Sequence, residues 1–176
     1  MEIKTQYLTK NPYFNDGKYI SSPNLKGFFL HSIGVPQENA QAIMSYWNNP
    51  SYTTACVNGF IDNSGAYITL PTFEQPGRVK RGPHAGKRST NDTYIGFEMT
   101  EPKCIKYVGG ATFTCSDPDY ARAFVEKNMQ NAVKLFAKLC SFHHLNPLEP
   151  NVILGHAEGH RLGMATNHGD PEHLWK

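Results

Sequence analysis

The segment Gly27-Phe28-Phe29-Leu30-His31-Ser32-Ile33 is a short, mostly apolar run typical of a buried β-strand, and a histidine interrupts it. Residues 94–99 and 152–154 are two further buried-strand candidates; the first contains Glu98 and the second is followed closely by His156. An unpaired carboxylate in a protein core is costly, so Glu98 needs a compensating partner. A single histidine such as His31 is more often a hydrogen-bonded core residue than a ligand. Because α/β folds place their sites at strand ends, we expect these three side chains to share one site.

Two helices are predicted around these strands. The first is expected to begin near Pro36, because apolar residues follow at the spacing of one packed helix face, at Ala40, Ile43, Met44 and Trp47. The second is expected to begin at Asp117-Pro118, where aspartate suits the cap and proline the first turn. Its apolar residues keep the helical period to about residue 143, which makes it the longest predicted element.

Turn residues complete the pattern and indicate the fold class. Hairpins are predicted over residues 56–70, turning at Asp62-Asn63-Ser64-Gly65, and over residues 105–114, turning at Gly109-Gly110. Irregular segments are predicted as a lead-in over residues 1–25, as a long loop over residues 71–90, and from residue 155 to the end. We therefore expect a single α/β domain, spanning residues 1–176, in which a central mixed β-sheet is flanked by helices.

Composition excludes several classes of protein. A formal net charge of +2 over 176 residues gives no argument for nucleic-acid binding, and a mean hydropathy of −0.50 is that of an ordinary globular chain. No signal peptide is recognisable after Met1, and no run approaches the roughly 20 apolar residues of a membrane span. The local basic cluster is predicted to be a solvated loop, with contact to an anionic polymer such as a cell wall as the alternative; it comprises Arg78, Lys80, Arg81, Lys87 and Arg88.

The four cysteines do not indicate a thiolate metal site. Cys56, Cys104, Cys115 and Cys140 lack C-x-x-C spacing. We expect free thiols, although Cys104 and Cys115 flank a predicted hairpin and could face each other. A Cys–His hydrolase built on Cys140 with His143 or His144 is a weaker alternative, because these residues lie on or near the apolar helix, where a buried structural cysteine is the usual case.

The segment from residue 155 to residue 175 contains four of the eight histidines and an aspartate. A His/Asp set of three protein ligands with an open fourth position is typical of catalytic zinc. Spacing alone does not decide which residues of the set would bind; the candidates are His156, His160, His168 and Asp170. The alternative is a polar surface loop whose histidines have no common role.

Taken together, the motifs resemble those of the type-2 N-acetylmuramoyl-L-alanine amidases, a family that includes phage endolysins and peptidoglycan recognition proteins. The resemblance extends from about residue 26 to residue 175, and the detailed likeness is to catalytic domains of Clostridium-type phage or prophage endolysins. Four stretches in the same order support it: Phe29-Leu30-His31-Ser32-Ile33-Gly34; Pro83-His84-Ala85-Gly86; Asn91 with Tyr94-Ile95-Gly96-Phe97-Glu98; and Asn167-His168-Gly169-Asp170-Pro171-Glu172-His173-Leu174-Trp175.

The resemblance implies a Zn²⁺ ion held by His31, His156 and Asp170. It implies that Glu98 orients or deprotonates the attacking water and that His168 donates to the oxyanion. It further implies substrate-binding positions at His84, Asn91 and Asn167. The stretch between His156 and Asp170 is longer than in the better-known cytoplasmic amidases, so His168 or Glu158 remains an alternative third ligand.

The activity implied is hydrolysis of the amide bond between the muramic acid lactyl group and L-Ala of bacterial peptidoglycan. A non-catalytic peptidoglycan-binding protein on the same fold is the alternative function. We expect a monomer that is made in the bacterial cytoplasm and acts on the cell wall after release or export. The chain is expected to be the catalytic domain of a longer endolysin or autolysin.

Overall fold

A six-stranded mixed β-sheet forms the centre of the computed structural model, which describes residues 1–175. Its strands span Glu2–Thr5 (β1), Gly27–Ser32 (β3), Gly59–Asp62 (β4), Gly65–Ile68 (β5), Tyr94–Met99 (β7) and Ile153–Gly155 (β10). The strand order is β1-β5-β4-β7-β3-β10; β4 and β5 form an antiparallel hairpin and the other neighbours are parallel. The predicted α/β class with a mixed sheet is confirmed.

One face of the sheet packs against the long helix α3, Pro118–His143. Asp117 caps this helix, since its side chain accepts the Tyr120 amide at 3.1 Å. The Phe136 ring stacks on Phe28 of β3 and meets Phe97 of β7 edge-on. The helix therefore covers the side chains that β3 and β7 direct to this face. Its bounds agree with the predicted start at Asp117-Pro118 and the predicted end near residue 143.

The opposite face is covered in two parts. Helix α1, Ala40–Trp47, lies against β4, where Trp47 meets Phe60 edge-on. Helix α4, His156–Arg161, contacts β3 and β10. Because side chains alternate along a strand, His31 of β3 and its register partner Glu98 of β7 share this face with Phe60. Both polar side chains therefore lie on the face that α1 and α4 cover.

Several segments are more regular than predicted. The prediction of an irregular lead-in over residues 1–25 was wrong in two places, because this segment contains β1 and a second strand, β2, Tyr19–Ser21. Strand β2 pairs with β6, Arg78–Lys80, which lies inside the predicted long loop. That loop also contains the start of the short helix α2, Arg88–Asn91, and the predicted terminal loop contains α4. Helix α1 begins at Ala40 instead of near Pro36, because the Asn39 side chain accepts the Gln41 amide and caps it.

The basic cluster is not wholly solvated. The Lys80 side chain is only 1% exposed, and its Nζ lies 2.6 Å from Asp16 Oδ1. Arg81 pairs with Asp92 at 2.5 Å, whereas the Arg88 side chain is 91% exposed. The solvated-loop prediction was therefore wrong for Lys80, whose charge is held by a carboxylate inside the protein.

The predicted second hairpin is present as β8, Ile105–Gly109, and β9, Thr112–Cys115. Cys104 and Cys115 face each other beside it as free thiols, with their Sγ atoms 3.8 Å apart. Within residues 1–175, no helix has the length and apolar character needed to cross a membrane.

Candidate metal centre and active site

His31, His156 and Asp170 bring three ligand atoms together on the α1/α4 face of the sheet. His31 Nδ1 lies 2.9 Å from His156 Nδ1 and 3.4 Å from Asp170 Oδ2, and His156 Nδ1 lies 3.7 Å from Asp170 Oδ1. Tetrahedral zinc with bonds of ~2.0–2.1 Å needs ligand atoms roughly 3.3 Å apart. Both histidines are buried. The donor set therefore fits a zinc ion in both type and separation.

Three different elements position these ligands. His31 is near the end of β3, His156 is the first residue of α4 directly after β10, and Asp170 precedes the final 3-10 helix at Glu172–Trp175. Strands β3 and β10 are parallel neighbours, so their carboxyl ends lie at one edge of the sheet. The Ser32 amide donates to Asp170 Oδ2 at 3.3 Å and helps to orient that carboxylate.

The charges in this cluster depend on each other. Burial disfavours protonation of His31, but the hydrogen bond that His31 donates to Asp170 and the charge of Glu98 outweigh it and raise the pKa of His31 above 6.5. Burial raises the pKa of Asp170, but the same contact with His31 outweighs this and lowers the pKa below 3.8. Burial, together with the charge of His31, lowers the pKa of His156 to about 4. The carboxylates of Asp170 and Glu98 therefore favour the protonated form of His31.

Glu98 lies beside His31 on the adjacent strand β7. Its Oε2 atom is buried and accepts no hydrogen bond from any group in residues 1–175. Burial raises the pKa of this carboxyl from 4.5 to about 7, while the positive charge of His31 opposes the rise. A carboxyl group with a pKa near neutrality and a free oxygen can accept and return a proton at physiological pH.

His168 lies at the exposed side of the cluster. Its ring centroid is 4.6 Å from that of His156, its Nδ1 is 3.8 Å from Asp170 Oδ1, and its side chain is 62% exposed. Asn167 is also exposed, as is Glu158, the other alternative ligand. The group of ligand atoms that lie within 4.8 Å of one another contains Asp170, and neither His168 nor Glu158 belongs to it. His160 is also outside this group, and its Nδ1 lies 3.3 Å from the Ala165 carbonyl oxygen.

Both ring nitrogens of His84 and the side-chain oxygen of Asn91 have partners within the protein. His84 Nδ1 lies 3.0 Å from His31 Nε2, and His84 Nε2 lies 3.0 Å from the Tyr94 carbonyl oxygen. Burial, with the charge of His31, lowers the pKa of His84 well below 6.5, so its ring is neutral near pH 7. The buried Asn91 side chain accepts the amides of His84 and Ala85 at 3.1 and 3.0 Å. His84 therefore contacts the Nε2 atom of His31, whereas the Nδ1 atom of His31 faces His156 and Asp170.

The comparisons with known proteins assign the family. The family model described as N-acetylmuramoyl-L-alanine amidase matches residues 21–173. The chain belongs to this amidase family. The predicted enzyme class, an N-acetylmuramoyl-L-alanine amidase, is thereby confirmed. A search of curated protein sequences gave no significant match.

Solved structures of low identity share the fold. The hydrolase AmiA of Staphylococcus aureus, solved in complex with its ligand, matches with a TM-score of 0.67 and 19% identity over 97% of this chain and 73% of its own. The catalytic domain of XlyA matches with a TM-score of 0.64 and 19% identity over 89% of this chain and 85% of its own. A mutant endolysin from Bacillus subtilis matches with a TM-score of 0.63 and 20% identity over 89% and 84%.

Sequence reasoning missed a second polar network beside the site. The Tyr107 hydroxyl donates to Glu101 Oε2 at 2.7 Å and lies 2.6 Å from His173 Nε2. Glu101 is fully buried, and its Oε1 accepts the Gly34 amide at 2.9 Å. Burial raises the pKa of Glu101. The network connects the β8–β9 hairpin to the strand ends. The one sequence signal was a glutamate two residues after an apolar strand.

The alternative Cys–His pair lies on the other face of the sheet. Cys140 is buried in the face of α3 that packs on the sheet, and burial raises the pKa of its thiol. His143 accepts the Gly77 amide at 3.1 Å and packs against Phe28 and Phe73. Both side chains therefore belong to the hydrophobic core.

Proposed function

We propose that this amidase is zinc-dependent and hydrolyses the bond between the muramic acid lactyl group and L-Ala of peptidoglycan. One observation carries the proposal: two buried histidines and an aspartate converge with separations that suit zinc, and an unpartnered carboxyl oxygen lies on the adjacent strand. The family match supports the substrate, and the donor set supports the metal.

His31, His156 and Asp170 would hold the ion, and the exposed His168 lies next to this set. When bound there, zinc lowers the pKa of a water molecule towards 7 and polarises the scissile carbonyl. Two neutral imidazoles and one carboxylate leave a net charge of +1 on such a site, which favours the developing oxyanion.

Glu98 is the proposed general base. Its raised pKa suits proton removal from the attacking water near pH 7, and the same carboxyl can then protonate the departing amine of L-Ala. His168 is proposed to donate to the oxyanion, because its exposed ring lies against His156 at the open side of the cluster. Asn167, exposed beside it, is the proposed substrate contact.

The biological role that fits this chemistry is degradation of the bacterial cell wall, as the catalytic unit of an endolysin or autolysin. The shared fold with an endolysin from Bacillus subtilis is consistent with that role. A protein that only binds peptidoglycan would not need Glu98 in its unfavourable environment, since burying a carboxyl without a partner costs stability.

Metal analysis combined with an activity assay tests the proposal. Purified protein is expected to contain about one zinc per chain, and chelation is expected to abolish hydrolysis of purified cell walls, with recovery on adding zinc. His156→Ala should lose the metal. The matched control His160→Ala removes an imidazole from the same helix and should keep it, because His160 faces the Ala165 carbonyl. Full activity in metal-free protein would refute the proposal.

A further inference from the structure

The loop Pro83-His84-Ala85-Gly86, called the 83–86 loop below, contacts the supports of both proposed histidine ligands. The His84 ring lies against His31, with Nδ1 and Nε2 of the two rings 3.0 Å apart. The Ala85 carbonyl accepts the Thr166 amide at 3.0 Å, and the Thr166 carbonyl oxygen lies 3.1 Å from His156 Nε2. One loop therefore contacts His31 directly and His156 through Thr166, although these two histidines are 125 positions apart in sequence.

With a metal ion on His31 Nδ1, one arrangement of hydrogens satisfies the contacts of His84. The Tyr94 carbonyl oxygen can only accept, so His84 Nε2 carries a hydrogen and donates it. A neutral His84 then has a lone pair at Nδ1, which accepts the Nε2 hydrogen of His31. His31 is thereby held in the tautomer whose Nδ1 is unprotonated, which is the form that binds a metal.

The same reasoning applies to His156. Its Nε2 faces the Thr166 carbonyl oxygen at 3.1 Å and must donate to it, which leaves Nδ1 unprotonated and directed at His31 Nδ1. The position of Thr166 depends in turn on the 83–86 loop, through the Ala85 carbonyl. Two further hydrogen bonds fix the chain after this loop to the segment before Thr166, from Lys87 to the Gly163 carbonyl and from Thr90 to the Met164 carbonyl.

The surroundings of His84 are shaped to hold its ring in this place. The β7 residue beneath the ring is Gly96, and a Cβ there would lie 2.6 Å from His84 Cγ. Asn91 fixes the backbone from the other side, because its Oδ1 accepts two successive amides of the loop. Phe29, the strand neighbour of Gly96, packs its ring against both His84 and His31. These features restrict His84 to the rotamer that meets His31.

We propose that His84 is a positioning residue of the metal centre, and that the 83–86 loop fixes the tautomer and orientation of both histidine ligands. This inference rests on the proposed zinc site and replaces the expected substrate contact at His84 with a supporting one. Partners that orient a metal-bound histidine are typically worth 10–100-fold in metal affinity. The loop would then act on catalysis through His31 and His156.

Zinc affinity of two matched variants tests the inference. His84→Phe keeps a ring of similar size but removes the acceptor for His31 Nε2, whereas His84→Asn keeps an acceptor oxygen near the position of Nδ1. Competition with a chromophoric chelator at fixed pH is expected to show about 10–100-fold weaker zinc binding in His84→Phe and a change within roughly 3-fold in His84→Asn. Arg88→Ala, at an exposed position just after the loop, should bind zinc as the wild type does.

A spectrum of the unmodified protein provides a second readout that does not depend on the folding of a variant. Long-range ¹H–¹⁵N correlation of the zinc-loaded wild type is expected to show His84 protonated at Nε2 and unprotonated at Nδ1. A hydrogen on His84 Nδ1, or equal zinc affinity in wild type and His84→Phe, would overturn the inference alone. A wild type that binds no zinc would overturn the proposed function as well.

Discussion

Glu98→Gln should slow catalysis and at the same time stabilise the metal-free fold. The carboxyl's pKa rises from 4.5 to about 7 on folding, mainly because of burial. Between these values the folded protein retains a proton that the unfolded chain releases, so stability falls as the pH rises through this window. Glutamine has the shape of the protonated acid and stays neutral at every pH. The stability of the variant therefore does not fall as the pH rises through this window.

The size of the effect follows from that pKa rise. The difference between 4.5 and about 7 corresponds to about 3 kcal/mol when Glu98 is fully ionised. The side chain has partial access to solvent, which reduces the cost, so we expect a gain of about 2 kcal/mol at pH 8. At pH 4, where both states hold the proton, wild type and variant should be equally stable. Turnover should fall on the order of 10²–10⁴-fold with little change in zinc content.

Urea unfolding in the presence of a chelator measures this difference, since bound metal would add its own stabilisation. The control is Glu126→Gln on the exposed face of α3, which should change stability by less than about 0.5 kcal/mol at either pH. A Glu98→Gln variant that is no more stable than wild type at pH 8 would show that the carboxylate has a compensating partner. Loss of zinc in this variant would instead identify Glu98 as a ligand.

Three further predictions concern the ligands, the pH dependence and the fold. Asp170→Ala should lose zinc, whereas His168→Ala should keep zinc and lose rate; the reverse pattern in metal analysis would make His168 the third ligand. Zinc affinity should fall by up to roughly tenfold per pH unit below the raised pKa of His31, because a proton competes with the metal for Nδ1. A zinc affinity that is constant between about pH 5 and 8 would contradict this prediction. Asp16→Ala should destabilise the fold by about 3 kcal/mol by leaving Lys80 buried without its carboxylate, whereas Asp119→Ala, at an exposed pair with Arg122, should cost less than about 0.5 kcal/mol in the same urea titration.

The site residues could be predicted from the sequence where a polar residue interrupts or directly follows an apolar strand. His31 and Glu98 were identifiable because each is a polar residue in an apolar strand, and the structure makes them register partners on β3 and β7. The register itself could not be read from the sequence, since it depends on how two distant strands pair. His156 was identifiable by its position directly after a short apolar strand.

The parts that were missed depend on tertiary contacts. Strand β1 has only one half-buried position, and its pairing with β5 uses backbone groups that leave no side-chain pattern. Helix α4 contains Gly159, and glycine disfavours a helix locally. The glycine is needed there because the helix packs closely on β3, where a Cβ would lie 2.3 Å from the Phe29 ring. The loop motif around His84 indicated function, but the sequence did not show that its ring turns inward to His31.

Mass spectrometry of the products from purified peptidoglycan tests the central claim most directly. Cleavage of the lactyl–L-Ala amide predicts stem peptides that begin with a free L-Ala amine, together with glycan strands whose muramic acid carries a free lactyl carboxylate. Both products should form on the order of 10²–10⁴-fold more slowly in Glu98→Gln and should disappear after chelation. Products with new sugar reducing ends, or peptides cut within the stem, would contradict the account.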